Sequence, residues 1–379
     1  MQENYQQKIL GILGGGQLGR MVIQSAINYN IDIHILDPDP NAPCKDICQK
    51  FIQGKLTDFD TVYDFGKNCD VITIEIENVN TEALLKLADE GKEVFPQPHI
   101  IKMIQDKRLQ KEFYKNNSVP TADFILTANK EEVKANSVFL PAVNKLGKEG
   151  YDGRGVQVLK TTEDLEKAFD APGLLEKLID FDQELSVIVA RNQKGETVAF
   201  PAVECSFHPT ANLVEFLFAP AGISAQTEEK AKALAFEVIE KLGMVGILAV
   251  EMFVTQSGDI LVNEIAPRPH NSGHHTIEAN FTSQFEQHLR SVLNMPLGNT
   301  DLRSPAAMVN LLGEDGYTGN ALVEGLDEAI SQKGVYVHLY GKKITKPFRK
   351  MGHVTILDED VSLLKKRALE IKEIIKIKA

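Results

Sequence analysis

Cysteine is scarce in this chain. Its 379 residues include four, Cys44, Cys48, Cys69 and Cys205, with no CxxC spacing, so they read as reduced thiols rather than a disulfide frame. Cys44 and Cys48 lack two further ligands nearby, which leaves no metal site there. No run of 18 apolar residues occurs, so no segment is expected to span a membrane. The polar start MQENYQQK lacks the charged-then-apolar pattern of a signal peptide, and a cytoplasmic location is expected. Basic residues are outnumbered: 41 Lys and Arg face 53 Asp and Glu, a net charge of −12. That balance argues against a nucleic-acid or anionic-membrane surface, while a local basic cluster could still hold a phosphorylated substrate. The motifs GxxxxGK(S/T), HExxH and GxSxG are missing, which removes P-loop nucleotide handling and the commonest zinc-peptidase and serine-hydrolase chemistries. Low-complexity tracts and internal repeats are missing as well. What remains is an ordinary globular composition, long enough for two or three domains.

Strand and helix patterns alternate at the start. KILGIL enters a glycine turn, Gln17 to Asn28 has helical spacing, and IDIHILD and DVITIEIE read as further strands. That rhythm implies a parallel sheet with crossover helices. A helix is expected near 106–117, strands at 173–180, 184–191 and 197–203, a helix at 226–242, and a last amphipathic helix with Val361, Leu364, Ala368, Ile371 and Ile375 on one face. The fold class is α/β and α+β, divided as 1–105, 106–297 and 298–379.

Five clusters carry chemistry. In GILAVEMFVTQSGDILVNEI, residues 245–264, two apolar runs flank a turn composition. With Ser257 and Gly258 as a two-residue loop, Gln256 faces Asp259 and Glu251 faces Glu264. Opposed Cβ atoms lie about 5 Å apart, where two carboxylates repel by about 3 kcal/mol at an effective dielectric near 20. A divalent cation is the natural compensation, and oxygen ligands suit Mg²⁺; the alternative is a wet edge or a Lys or Arg partner. Second, Gly14 to Gly19 satisfies GxGxxG before a helix, with Asp37 downstream, which reads as a dinucleotide fingerprint or, more broadly, as backbone N–H groups for an anion. Third, Gly147, Gly150, Gly153 and Gly155, with Lys145 and Lys148, suit either a flap over phosphates or a surface turn. Fourth, the stiff segment APRPHNSGHH presents Arg268, His270, Asn271 and Ser272 beside Glu264; fifth, Lys342, Lys343, Lys346, Arg349, Lys350 and His353 form a basic run, either a phosphate pocket or a solvated face.

The stretches LGGGQLGRM, IEIENV, EGYDGRG, VEMFV and NEIAPRPHNSGHHT fall in order along most of the chain. Together they resemble the ATP-grasp superfamily, most closely the 5-(carboxyamino)imidazole ribonucleotide synthetases. The resemblance implies an ATP-grasp fold with a biotin-carboxylase-like N-terminal domain, a mobile lid and a small C-terminal β-rich domain. It implies ATP contacts at Lys107, Lys145, Glu149, Gly150, Tyr151, Asp152, Gly153, Arg154, Gly155, Glu184, His208, Asn263 and Glu264, with Glu176, Lys177, Leu178 and Ile179 at the adenine edge largely through backbone. Glu251 and Glu264 would hold Mg²⁺. The substrate 5-aminoimidazole ribonucleotide would meet Gln17, Leu18, Glu75, Asn78, Tyr151, Arg154, Arg268, His270, Asn271, Ser272 and Arg349. Asp152, Arg268, His270, Lys342 and Lys343 would act in catalysis, Asp152 and His270 as candidates for proton handling. Two positions depart from the pattern: Glu149 stands where glycine is common, and Ala266 where many relatives place a metal-binding Asn. The implied reaction carboxylates the ribonucleotide with bicarbonate and ATP through carboxyphosphate, in a homodimer. The rival readings are a formate-dependent glycinamide ribonucleotide transformylase, which shares PRPH but not the residues after it, and, more distantly, a nicotinamide-dependent dehydrogenase.

Overall fold

The computed structural model describes residues 5–148, 150, 155–207 and 213–379. The first unit is a five-stranded sheet of β1 (Ile9–Leu13), β2 (Asp32–Asp37), β3 (Lys50–Gln53), β4 (Val71–Ile74) and β5 (Glu93–Val94), ordered β3-β2-β1-β4-β5 and parallel throughout. β4, sequence VITI, is buried along its whole length, as a parallel strand covered on both faces should be. Helix α1 (Gln17–Ile27) follows β1 and turns Met21, Val22 and Ala26 into a core shared with Phe285, Leu289 and Val292 of a distant helix, Gln284–Val292. That shared core ties the N-terminal unit to the middle of the chain.

Helix α2 (Lys107–Asn116) starts at Asp106, whose side chain accepts the Arg108 N–H. A four-stranded antiparallel sheet follows, ordered β6-β9-β7-β8, from β6 (Phe124–Thr127), β7 (Ala142–Leu146), β8 (Val156–Leu159) and β9 (Gly173–Lys177). The large antiparallel sheet is built on β10 (Phe181–Arg191), β11 (Thr197–Ala199), β12 (Val203–Phe207), β13 (Val214–Ala219), β14 (Gly246–Thr255) and β15 (Ile260–Ala266). Residues 197–203, expected as one strand, split into β11 and β12. Pro201 between them has no N–H to donate to a ladder.

Helix α3 (Ala225–Leu242) packs Ala231, Leu234, Ala235, Val238 and Ile239 on the sheet. Its ends are set by a Ser224 side-chain cap and by Gly243 in the left-handed region. The sheet does not stop near residue 298. β16 (Ala306–Leu312) pairs with β13, and the strands β17 (Val335–Leu339) and β18 (Lys350–Leu357) extend it to nine members. The last helix buries Leu364, Ala368 and Ile371, while Val361 in its first turn is exposed. Among the described residues no helix is long and apolar enough to cross a membrane.

Candidate active site

Three strands of the large sheet line up the acids. Ser186 on β10 pairs with Glu251 on β14, which pairs with Glu264 on β15. Glu184 lies two residues before Ser186 and so shares that face. The expected Glu251–Glu264 pairing is observed, although the turn that led to it is not. The loop holds three residues, 256–258, with Gly258 at φ +81°; Thr255 donates its N–H to the Asp259 carbonyl at 2.9 Å and takes that of Gly258. Thr255, and not Gln256, therefore faces Asp259. The register slips back where Asn263 bulges between the Glu251–Glu264 and Met252–Val262 pairs, and the two offsets cancel.

Lysines meet this row from α2 and β7. Lys107 forms an ion pair with Glu264. Lys111, one turn further along α2, forms one with Glu176. Lys145 contacts the other oxygen of Glu176 at 2.6 Å and donates to the bulged Asn263 at 3.0 Å. Glu176 thus turns its side chain to two lysines. Burial opposes its ionisation, but Lys145 and Lys111 overcome this and hold its carboxyl below the usual range. Burial and the nearby Lys145 push Lys111 down to about 8. Lys107 holds Glu264 down to about 2, whereas burial and the charge of Glu264 push Glu251 up to about 8. Burial, then Glu264, pushes Glu184 up to about 7. Glu264 is ionised beside Lys107, while burial and that charge keep its neighbour Glu251 from ionising, and a hard divalent cation between the two would relieve this repulsion, so the pair is a suitable donor set for one. No cluster of three metal-ligating side chains exists among the described residues, so other ligands would come from phosphate oxygens and water.

The segment after Glu264 folds back over the row. His270 Nε2 lies 3.5 Å from Glu251 Oε1, its Nδ1 lies 2.9 Å from Ser272 Oγ, and Ser272 Oγ lies 2.7 Å from Ser186 Oγ. Gln284, fully buried, clamps the His270 backbone by accepting its N–H and donating to its carbonyl. Both side-chain atoms of Asn271 are buried without a hydrogen-bond partner among the described residues, an arrangement that calls for a polar ligand. Arg268 pairs with Glu77 at 2.9 Å, joining this segment to the N-terminal unit.

At the glycine turn, the Glu75 carboxylate accepts the N–H groups of Gly16 and Gly19, and Asp37 accepts that of Gly15 at 2.6 Å. A Cβ on Gly14 would stand 2.3 Å from Glu75 Cγ. The amides at the start of α1 are therefore filled by the chain's own acids, and the dinucleotide reading fails for want of donors. Gln17 heads α1, and Leu18 packs half-buried on the N-terminal core. Burial raises the Glu75 carboxyl above the usual range, opposed by the Gly19 and Gly16 N–H groups and by nearby Lys342, which also donates to the Lys350 carbonyl at 2.7 Å.

Other expected positions fall away from the row. The Lys177 side chain donates to the Phe139 and Leu140 carbonyls. The backbone N–H groups of Lys177 and Leu178 go to Asp123 and Pro141, so they are not open to an adenine; Ile179 follows them beyond the end of β9. Asn78 is exposed, and Lys343 reaches Asn41 at 3.4 Å on the surface. Arg349 donates to the Ile344 carbonyl at 2.5 Å. His353 does not belong to the basic run's surface: it is fully buried, stacked on His338 and hydrogen-bonded to Tyr340. Gly150 and Gly155 are described, with the Gly155 carbonyl accepting the Leu146 N–H at 2.9 Å; Glu149, Tyr151, Asp152, Gly153, Arg154 and His208 lie outside the described residues. Sequence reasoning missed Lys111, Glu77, Ser186 and Gln284. Two of them had a signal: Lys111 stands four residues after Lys107, and Ser186 two after Glu184.

Two antiparallel sheets meeting across lysines and paired acids define an ATP-grasp enzyme. Family models agree: a ribonucleotide synthetase preATP-grasp domain matches residues 7–105, an ATP-grasp domain 112–285, and a phosphoribosylaminoimidazole carboxylase C-terminal domain 306–367. The N5-carboxyaminoimidazole ribonucleotide synthase of Bacillus subtilis is 37% identical over 94% of this chain and 93% of its own. The chloroplastic phosphoribosylaminoimidazole carboxylase of Vigna aconitifolia is 39% identical, and this chain spans 65% of its length. Among solved structures, N5-carboxyaminoimidazole ribonucleotide synthetase from Thermotoga maritima superposes with a TM-score of 0.91 at 42% identity, covering 98% of this chain and 100% of that one. The Aspergillus clavatus enzyme in complex with ADP and 5-aminoimidazole ribonucleotide gives 0.89 at 32%, covering 98% and 100%. The chain belongs to the N5-carboxyaminoimidazole ribonucleotide synthetase family of ATP-grasp ligases.

Proposed function

We propose that this protein carboxylates 5-aminoimidazole ribonucleotide with bicarbonate at the expense of ATP, in de novo purine biosynthesis. The observation that carries the reading is the Ser186–Glu251–Glu264 row with Lys107 and Lys145 beside it, in a chain of this family. Glu251 and Glu264 would hold Mg²⁺, which when bound neutralises charge on the transferring phosphoryl group. Lys107 and Lys145 bind phosphate oxygens: at Lys107 a phosphate takes the place of the half-exposed Glu264, whereas Lys145 keeps the buried Glu176 and offers its remaining donor. The Glu149–Gly155 loop covers the nucleotide and keeps water from carboxyphosphate, which hydrolyses readily. The ribonucleotide lies between the N-terminal unit and the basic run, with Glu75, Arg268, Asn271 and Arg349 as its contacts. His270, held between Glu251 and Ser272, is placed to move a proton at the reacting amine, and Asp152 is its candidate partner. The working form is a cytoplasmic homodimer, with light scattering expected to read twice the 42.0 kDa chain mass.

The test is ADP release with bicarbonate present, with and without 5-aminoimidazole ribonucleotide. Turnover should be fastest with both. Equal turnover with glycinamide ribonucleotide and formate would favour the transformylase instead.

A further inference from the structure

Lys111 has no role in the chemistry described so far, and its surroundings prevent it from touching a ligand. Its side chain and that of Glu176 are each 4% exposed. Its ammonium is held by Glu176 Oε1 and by Thr121 Oγ1, whose own hydroxyl donates to the Val262 carbonyl at 2.7 Å, and the Tyr114 ring lies 5.6 Å away. Lys145 stands on the opposite side of the same carboxylate. Two of its three donors serve Glu176 and Asn263, and the third is left over among the described contacts.

The charge count gives this geometry a purpose. Glu176 with Lys145 alone would be a neutral pair, and a neutral pair attracts phosphate weakly. Lys107 is already balanced by Glu264. Lys111, Glu176 and Lys145 together carry one net positive charge, and only Lys145 is placed to present it. We propose that Lys111 is a positioning residue that neutralises Glu176 from behind, so that Lys145 faces the nucleotide phosphates as an uncancelled cation. The inference rests on reading Lys145 as a phosphate contact.

The experiment is calorimetric titration of ADP into the full-length protein and three variants. Lys111→Met should weaken ADP by roughly 10- to 50-fold, the scale of one unit charge several ångströms away at an intermediate dielectric. The double variant Lys111→Met/Glu176→Gln restores the positive count at Lys145 and should return affinity to within about threefold of the unmodified protein. Steady-state kinetics should show the Michaelis constant for ATP following the same pattern, with that for the ribonucleotide unmoved. If Lys111→Met does not fold, Lys111→Gln, which keeps a donor toward Glu176 without the charge, carries the same expectation. A double variant that binds ADP as weakly as the single one, with both folded, overturns the charge-balance role and leaves Lys111 as packing. Failure of the unmodified protein to bind ADP would instead overturn the function proposed above.

Discussion

The glycine turn of the N-terminal sheet and the lysine cleft between the antiparallel sheets both present positive potential, and in both a carboxylate of the chain fills it. In the turn the donors are backbone N–H groups fixed at the start of α1, and Glu75 occupies a space that glycines alone leave open. In the cleft the donors are lysine ammonium groups on flexible stems, and the Glu264 side chain is 41% exposed. Replacing Glu75 by a ligand would unpack a built joint, whereas replacing Glu264 at Lys107 requires only rotation about side-chain bonds. Closure over main-chain donors is therefore architecture, and closure over side-chain donors is a resting state that substrate can exchange.

Substitution should cost most in the cleft. Glu251→Gln and Glu264→Gln should each reduce turnover by about 10²- to 10³-fold with the fold intact, as expected when an essential charge-stabilising group is lost. Chelation of divalent cations should do the same reversibly. Metal-free Glu251→Gln should melt no lower than the unmodified protein, because Glu251 is the acid that burial and Glu264 hold against ionisation; a lower melting temperature with activity retained would make the pair structural. Next in size, Arg349→Ala should raise the Michaelis constant for the ribonucleotide by about 10- to 150-fold, the worth of one charge-assisted hydrogen bond, and leave that for ATP unchanged. Equal rises in both constants would return the basic run to a solvated face. In the turn, Glu75→Gln should cost about 1–3 kcal/mol in urea unfolding, since an amide oxygen can satisfy one N–H group but leaves the other short of an acceptor. No loss would mean that the plug is not architectural.

Much of the cleft could be read from sequence, and little of the turn. Glu251 and Glu264 lie on one hairpin, where register follows from local counting. Even so the count succeeded because an extra loop residue at Gln256 and a bulge at Asn263 offset each other. Glu176 and Lys145 stand on neighbouring strands, but their joint dependence on Lys111 needs a helix and two strands to converge, which no spacing rule encodes. At the turn, GxGxxG announces backbone donors without saying what fills them. The filler is 56 residues beyond Gly19, just past the end of β4, and only the parallel sheet brings Glu75 there. His353 misled in the opposite way: its basic neighbours suggested surface, while strand pairing buries it against His338.

The smallest expected effect concerns the joint between the two regions. Thr73 on β4, two residues before Glu75, hydrogen-bonds His288 Nε2 at 3.0 Å, and His288 belongs to the helix Gln284–Val292 that packs against α1. Burial pushes His288 down to about 3, and its Nδ1 has no partner among the described residues. The folded protein therefore keeps this ring neutral where the unfolded chain, with an ordinary value near 6.5, takes up a proton. The sign follows: above pH 6.5 the group is neutral in both states and costs nothing. As pH falls from 6.5 toward 3 the unfolded state binds the extra proton and stability is lost, at about 1.4 kcal/mol per pH unit for one group. His275, also pushed down to about 3 by burial, and His274 and His353, lowered by burial and by neighbouring imidazoles, add to the same acid limb. His288→Gln removes one proton from that count and keeps an amide for Thr73. Urea unfolding at pH 7.0 and 5.5 should show the gap between the unmodified protein and this variant narrowing by about 1–2 kcal/mol on acidification. A gap that stays constant across that interval would mean that His288 takes up its proton in the folded joint as readily as in the unfolded chain, and a gap that widens would mean that the folded joint already holds it.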